Sequence, residues 1–237
     1  MDDFSSRLTK INEVIATAAQ KAGRDPAEIE LLAVSKTQPA EVIQEAMRAG
    51  VTRFGENKVQ EARGKIESLG RGVWHLIGHL QTNKVRDAVH LFDSIDSVDR
   101  AELADEIDHR AVALGKTQNV LLQVNIARES TKFGCCPESA PALAETINAL
   151  PHLCLRGLMT IAPYSLESEK SRPHFAGLRL LRDKIEAETG LRLPVLSMGM
   201  SGDFIVAIEE GSTCVRIGTA LFGERLKLKQ QRHFEEM

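Results

Sequence analysis

Leu31-Leu32-Ala33-Val34-Ser35-Lys36-Thr37 sets four apolar residues in a row and closes them with a lysine at Lys36. Such a run reads as a short strand covered on both faces, as strands of parallel sheets are. A cation at its end is out of place, because lysine is almost never buried unless it is paired or chemically used. Pro39 to Gly50 follows with helical patterning, so Lys36 stands where a strand hands over to a helix. In parallel α/β folds that edge is where ligands bind. Two roles are open to the lysine there. Its ammonium can snorkel from the strand end into water, or its amine can form a Schiff base with an aldehyde in a partly desolvated site that lowers its pKa.

Outward from this stretch the chain alternates. Upstream, Phe4, Leu8, Ile11, Val14, Ile15 and Ala18 recur at spacings of three and four, which predicts an amphipathic helix over 3–22 closed by Gly23. Strands are expected at about 29–36, 51–54, 73–77, 91–95, 119–126, 153–161, 195–198 and 215–221. Helices are expected at 39–49, 56–69, 81–90, 99–114, 137–150, 167–189 and 203–210, several of them stopped by a glycine. The pattern is α/β, a single (β/α)8 TIM barrel with an extra N-terminal helix and a core of about 29–223. An open doubly wound sheet would carry a glycine-rich turn after its first strand, and Ser35-Lys36-Thr37-Gln38 is not one. No Pro/Ser/Gly-rich linker divides the chain, so one domain is expected over 1–237, ending in a charged tail at 224–237.

Composition narrows the function classes. At 237 residues the length suits one barrel, and 43% hydrophobic with 27% charged residues is ordinary for a globular protein. A net charge of −3 offers no basic footprint for nucleic acid. No apolar run is long enough to span a bilayer, and Met1-Asp2-Asp3 is acidic where a signal peptide is basic. The cytoplasm is the expected location. Cys135, Cys136, Cys154 and Cys214 have no zinc-type spacing and read as reduced thiols, and no metal site is indicated. Gly115-Lys116-Thr117 lacks the upstream glycine of a P-loop, and Gly199-Met200-Ser201-Gly202 lacks the last glycine of a nucleophile elbow.

In a barrel, the residues just past each strand share one face. They are Lys36; Glu56 and Asn57; Gly78, His79, Gln81, Asn83 and Lys84; Met159 and Pro163; Ser197 to Gly202; and Arg216, Gly218 and Thr219. Barrels frequently hold phosphate with the loops after strands seven and eight. Ser201-Gly202-Asp203 before an apolar helix has the form of an N-cap with room for an anion, and Gly218-Thr219 adds a close backbone and a hydroxyl. Plain capping by Ser201 would leave the same trace. A lysine opposite a phosphate cradle is what pyridoxal 5′-phosphate (PLP) demands.

The chain resembles the PLP homeostasis proteins (YggS/PROSC-like). The resemblance lies in AVSKT, FGENKVQE, WHLIGHLQTNK, DSIDSVDR, VNIARESTKFG, LRGLMTIAP, LSMGMSGDFIVAI and VRIGTALFG, spread over 33–223. That family is similar to the barrel domain of alanine racemase without its second, β-rich domain. The resemblance implies that Lys36 is the Schiff-base lysine and that Asn57 lies beside the cofactor. It implies that Ser201, Gly218 and Thr219, with Ser197, hold the phosphate, and that Arg216 faces the pyridine nitrogen. It also implies a secondary PLP contact at Lys132, although Phe133 departs from the small or polar residue usual beside it. His79 lies in a shared motif with no chemistry assigned.

Arginine at the ring nitrogen does not keep it protonated as a carboxylate does, so carbanion chemistry is poorly supported. Racemisation also wants a second base on the opposite face. The one tyrosine, Tyr164, reads as a surface-loop residue. The expectation is therefore a non-catalytic PLP-binding protein of intracellular PLP homeostasis, with PLP-dependent apoenzymes as recipients and a monomeric state. A PLP-dependent amino-acid racemase of limited rate is the alternative. A sugar-phosphate barrel enzyme using Lys36 on a carbonyl substrate is a third, weaker reading.

Overall fold

Eight parallel strands close in sequence order into a barrel in the computed structural model, which describes residues 3–223; the expected tail at 224–237 lies outside the described residues. The strands are β1 (Glu30–Val34), β2 (Arg53–Glu56), β3 (Val73–Leu76), β4 (Ser94–Val98), β5 (Gln118–Gln123), β6 (Leu153–Met159), β7 (Val195–Met200) and β8 (Cys214–Ile217). Around them run α1 (Phe4–Lys21), α2 (Ala40–Arg48), α3 (Val59–Leu69), α4 (Val85–Leu91), α5 (Ala101–Ala113), α6 (Ala140–Asn148), α7 (Arg172–Thr189), α8 (Phe204–Glu209) and α9 (Thr219–Phe222). The (β/α)8 barrel with an added N-terminal helix is the fold. The side chain of Asp3 accepts the Ser6 amide at 2.7 Å and starts α1, whose Phe4 ring lies 5.5 Å from that of Phe222.

Several boundaries differ from expectation, and two of them shape the site. Strand β2 runs on to Glu56, so α3 begins at Val59 instead of residue 56. Strand β8 stops at Ile217 where 215–221 was expected, because the Gly218 carbonyl accepts from the Leu221 and Phe222 amides and turns the chain into α9. Elsewhere α4 continues through Leu91, its last turn closed by the Phe92 amide on the Ala88 carbonyl, so β4 starts at Ser94. The expected helices at 81–90 and 167–189 each begin with a 3₁₀ turn, at Thr82–Lys84 and Ser168–Ser171.

Alternation along the strands sorts side chains between the lumen and the helices. Ala33, Phe54, Trp74, Leu76, Val215 and Ile217 join the main core between sheet and helices. Leu32, Val34, Ile77 and Cys214 form a separate apolar plug, with Val195 packed against it. Gly55 sits tightly against it, since a Cβ there would lie 3.1 Å from Ile77 and 3.2 Å from Leu32.

A cavity of about 380 Å³ is lined by His75, Asp96, Arg53, Glu30, Arg156 and Cys214. The buried Asp96 carboxylate accepts from Ser94 Oγ at 2.5 Å and lies 2.9 Å from His75 Nδ1. Burial works against a charged imidazole, but the charge and hydrogen bond of Asp96 outweigh it and hold the pKa of His75 above its usual value. A raised folded value stabilises fully below the unfolded value of about 6.5 and is lost as pH rises through the folded one. Cys214 does not share that window, since burial pushes its thiol up to about 12. The urea midpoint of the protein relative to His75→Gln is therefore expected to fall between pH 6 and 9; a difference independent of pH would refute the pairing.

Candidate functional site

At the carboxyl ends of the strands a cavity of about 300 Å³ is lined by Lys36, Asn57, Ser201, Arg216, Gly218 and Thr219. That volume lies at the small end of ligand pockets, roughly 300–1,000 Å³. Val34, Ile77, Ile161, Pro163, Tyr164 and Met200 supply apolar wall and rim. Tyr164 is 88% exposed, as a surface-loop residue should be, yet it stands at the mouth.

Lys36 continues the parity of Leu32 and Val34, which points its side chain into the barrel mouth. Its two neighbours are gripped from behind. The Gln38 amide donates to the Ser35 carbonyl at 3.0 Å, closing a turn with Lys36 and Thr37 at its centre. Thr37 has φ +64°, left-handed backbone that a type II turn normally gives to glycine. For a β-branched residue this costs about 1–2 kcal/mol. The Thr37 amide donates to Glu61 Oε1, and Lys65 Nζ donates to that same oxygen at 2.7 Å. Lys65 also donates to the Ser35 carbonyl at 2.9 Å and to Glu56 Oε1 at 2.8 Å, while Ser35 Oγ donates to Glu56 Oε1 at 2.6 Å.

This cluster, buried at Ser35, Glu56 and Lys65 and open to solvent at Thr37, is the part of the site that sequence reasoning missed. Glu56 was expected among the residues gathered past the strand ends. Because β2 extends through it, Glu56 shares the parity of Phe54 and points toward α3, and Asn57 takes the cavity instead. Burial pushes the Glu56 carboxyl up against the opposing pull of Lys65 and Ser35. Burial also acts to raise Glu61, but Lys65 and the Thr37 amide together hold it below its ordinary range. The visible signal was the register of Glu61 and Lys65, one helical turn apart on α3.

Arg216 is 3% exposed and fixed at both ends of its guanidinium. Nη1 donates to Ser197 Oγ and Nη2 to the Thr160 carbonyl, each at 2.7 Å. Burial pushes its pKa down, with no carboxylate among the described residues in direct contact to restore it. Ser197 does not line the cavity; it is fully buried beneath Arg216.

Ser201 is not the cap of its own helix. Asp203 takes the N-cap position of α8, and Ser201 Oγ accepts from the Ala220 amide at 3.3 Å, tying the loop after β7 to α9. Asp203 lines the cavity, with its carboxylate oxygens accepting from the Met200 amide at 2.7 Å and Ser171 Oγ at 3.0 Å. Gly78 keeps the ends of β2 and β3 together: a Cβ would come within 2.2 Å of the Asn57 carbonyl oxygen. Lys132 stands off the cavity, donating to the Ala162 carbonyl at 3.1 Å and paired with Glu129. The ring of His79 stacks on that of Phe133 with centroids 3.7 Å apart, so it braces the loop that carries Lys132. Gln81 and Asn83 are exposed and take no part.

A parallel barrel with an inward lysine at the end of β1 and hydroxyls past β7 and β8 defines a class. Residues 7–226 match the family described as alanine racemase, N-terminal domain. The pyridoxal phosphate homeostasis protein of Aquifex aeolicus is 49% identical over 221 residues, covering 92% of this chain and 97% of that one. The protein of the same name in Pseudomonas aeruginosa is 46% identical over 227 residues, covering 95% and 97%. Among solved structures, PipY of Synechococcus elongatus with PLP bound has a TM-score of 0.79 at 39% identity, covering 89% of this chain and 100% of PipY. An alanine racemase of Clostridium difficile shares the fold, with a TM-score of 0.72 at 18% identity over 91% of this chain and 56% of its own. The chain belongs to the pyridoxal phosphate homeostasis protein family.

Proposed function

We propose that this protein binds PLP as a carrier in PLP homeostasis, with Lys36 holding the cofactor's aldehyde as a Schiff base. The observation that carries the reading is one cavity with an amine at the end of β1 and the Ser201, Gly218 and Thr219 edge past β7 and β8. That spread suits a ligand with an aldehyde and an anionic group. PLP supplies an electrophilic carbon and a ring able to take up electrons from a bound substrate. Asn57, Val34 and Ile77 would flank the ring, and the Ser201 and Thr219 hydroxyls with the Gly218 backbone would take the phosphate, since all of them line one cavity. Arg216, held by Ser197, would face the ring nitrogen, and as a cation it would not keep that nitrogen protonated. That disfavours carbanion chemistry and supports holding over turnover. The reading carries with it one PLP-binding domain over the whole chain, a monomer in the cytoplasm, and PLP-dependent apoenzymes as recipients. Lys132 lies outside the cavity lining but donates to the Ala162 carbonyl between the cavity residues Ile161 and Pro163, and is assigned the secondary contact on that ground. Among the described residues no helix is long and apolar enough to cross a membrane, and no cluster of metal-ligating side chains occurs.

Incubation with PLP, reduction with borohydride and mapping by mass spectrometry is expected to place the pyridoxyl group on Lys36. Label confined to other lysines would sink the proposal. The match to the racemase domain favours slow amino-acid racemisation as the second reading. D-alanine formed from L-alanine faster than by free PLP would favour it.

A further inference from the structure

We propose that Glu61, acting with Lys65, is the positioning residue for Lys36: it holds the strained Lys36–Thr37 turn in the form that delivers the amine to the cavity. This rests on the reading above, in which Lys36 takes an aldehyde. Three observations converge on it. Thr37 occupies left-handed backbone at φ +64°, a conformation that relaxes unless its surroundings hold it. Among the described residues the side-chain acceptor on the Thr37 amide is the Glu61 carboxylate. On the other flank of Lys36, the Ser35 carbonyl accepts from Lys65 Nζ at 2.9 Å, and Lys65 is bonded in turn to the same Glu61 oxygen. One helical turn of α3 therefore clamps both residues beside the lysine while standing outside the cavity lining. Strain concentrated next to a reactive group is a known form of preorganisation. Glycine would adopt the same backbone without being held.

The chemistry that depends on the turn is condensation. The Lys36 nitrogen bonds to the aldehyde carbon, the nitrogen gives up its protons, and the carbonyl oxygen leaves as water, with no oxidant or reductant involved. A turn that wanders lowers the fraction of molecules whose amine is poised, and so lowers the capture rate of any aldehyde that enters. The clamp lies away from the anion-holding edge. It should therefore affect PLP and phosphate-free pyridoxal by the same factor.

The test is the rate of absorbance change when the full-length protein is mixed with PLP or with pyridoxal, well below its melting temperature. Glu61→Ala is expected to slow capture of both aldehydes roughly tenfold. Glu61→Gln, which keeps an acceptor oxygen, should stay within about twofold, and Thr37→Gly in the Glu61→Ala background should return capture to about the wild-type rate. Wild-type rates in Glu61→Ala would overturn the inference, as would a Glu61→Ala/Thr37→Gly protein as slow as Glu61→Ala. If Glu61→Ala alone does not fold, a Glu61→Ala/Thr37→Gly protein that regains the fold and captures at the Thr37→Gly rate supports the clamp, and one that stays unfolded or is roughly tenfold slower overturns it. Failure of the wild-type protein to capture PLP would instead sink the functional reading itself, which keeps the two failures apart.

Discussion

Lys36→Ala is expected to hold PLP on the order of a hundredfold less tightly than the native protein, about 2.8 kcal/mol. The substitution removes the only group proposed to bond covalently to the cofactor. The hydroxyls of Ser201 and Thr219 and the Gly218 backbone stay to bind its anionic end. The turn itself is held by its neighbours, through the Ser35 carbonyl and the Thr37 amide, so the barrel is expected to persist. Equilibrium dialysis against PLP reads the affinity, and the absorbance band of the bound cofactor reads the covalent state. Loss of the band with residual weak binding is the predicted pair of results. An unchanged affinity in the variant would mean that the amine does not hold the aldehyde.

Lys65→Met is expected to produce the largest loss of stability, about 3–5 kcal/mol near neutral pH. Lys65 is nearly buried and Glu56 fully so, and Glu56 Oε2 already has no hydrogen-bond partner among the described residues. Methionine fills much of the lysine stem but leaves the Glu56 carboxylate without its cation. The pH dependence has a definite sign. Burial already lifts the Glu56 carboxyl, and removing Lys65 deletes an interaction that opposes the lift. A carboxyl whose folded pKa is raised stabilises below its unfolded value and loses that contribution as pH rises through the folded one. The deficit of Lys65→Met should therefore be greatest near pH 8 and shrink towards pH 5, as Glu56 takes up a proton. Urea melts of both proteins at several pH values check it, and a deficit that grows on acidification would refute the account.

The two variants probe opposite sides of one strand end. Lys36 and Asn57 turn inward to the cavity, while Ser35 and Glu56 turn outward to α3. A shift of strand register by a single residue would exchange these sets. Ending β2 at Phe54 rather than Glu56 is therefore enough to place Glu56 on the wrong side of the sheet. The strand end was hard to read because Phe54-Gly55-Glu56-Asn57 gives no hydrophobic cue after Phe54. In a free chain Gly55-Glu56 suggests a turn. In the barrel, Gly55 sits where a Cβ would crowd the Leu32 and Ile77 side chains.

Sequence alone determined the barrel, its added N-terminal helix and the inward lysine. Local patterning carries that information: apolar runs of strand length, helices stopped by glycines, and a parity that extends from Leu32 through Val34 to Lys36. It also gathered Asn57, Ser201, Arg216, Gly218 and Thr219 at one end, because residues past parallel strands must share a face. Only the tertiary structure decided which of the nearby polar groups work in the cavity and which work behind it. Ser197 supports Arg216, Ser201 reaches across to α9, and Glu56, Glu61 and Lys65 clamp the turn that bears Lys36. Those assignments depend on where strands end and on which charges meet between a sheet and a helix, and both are fixed by packing between residues distant in the chain.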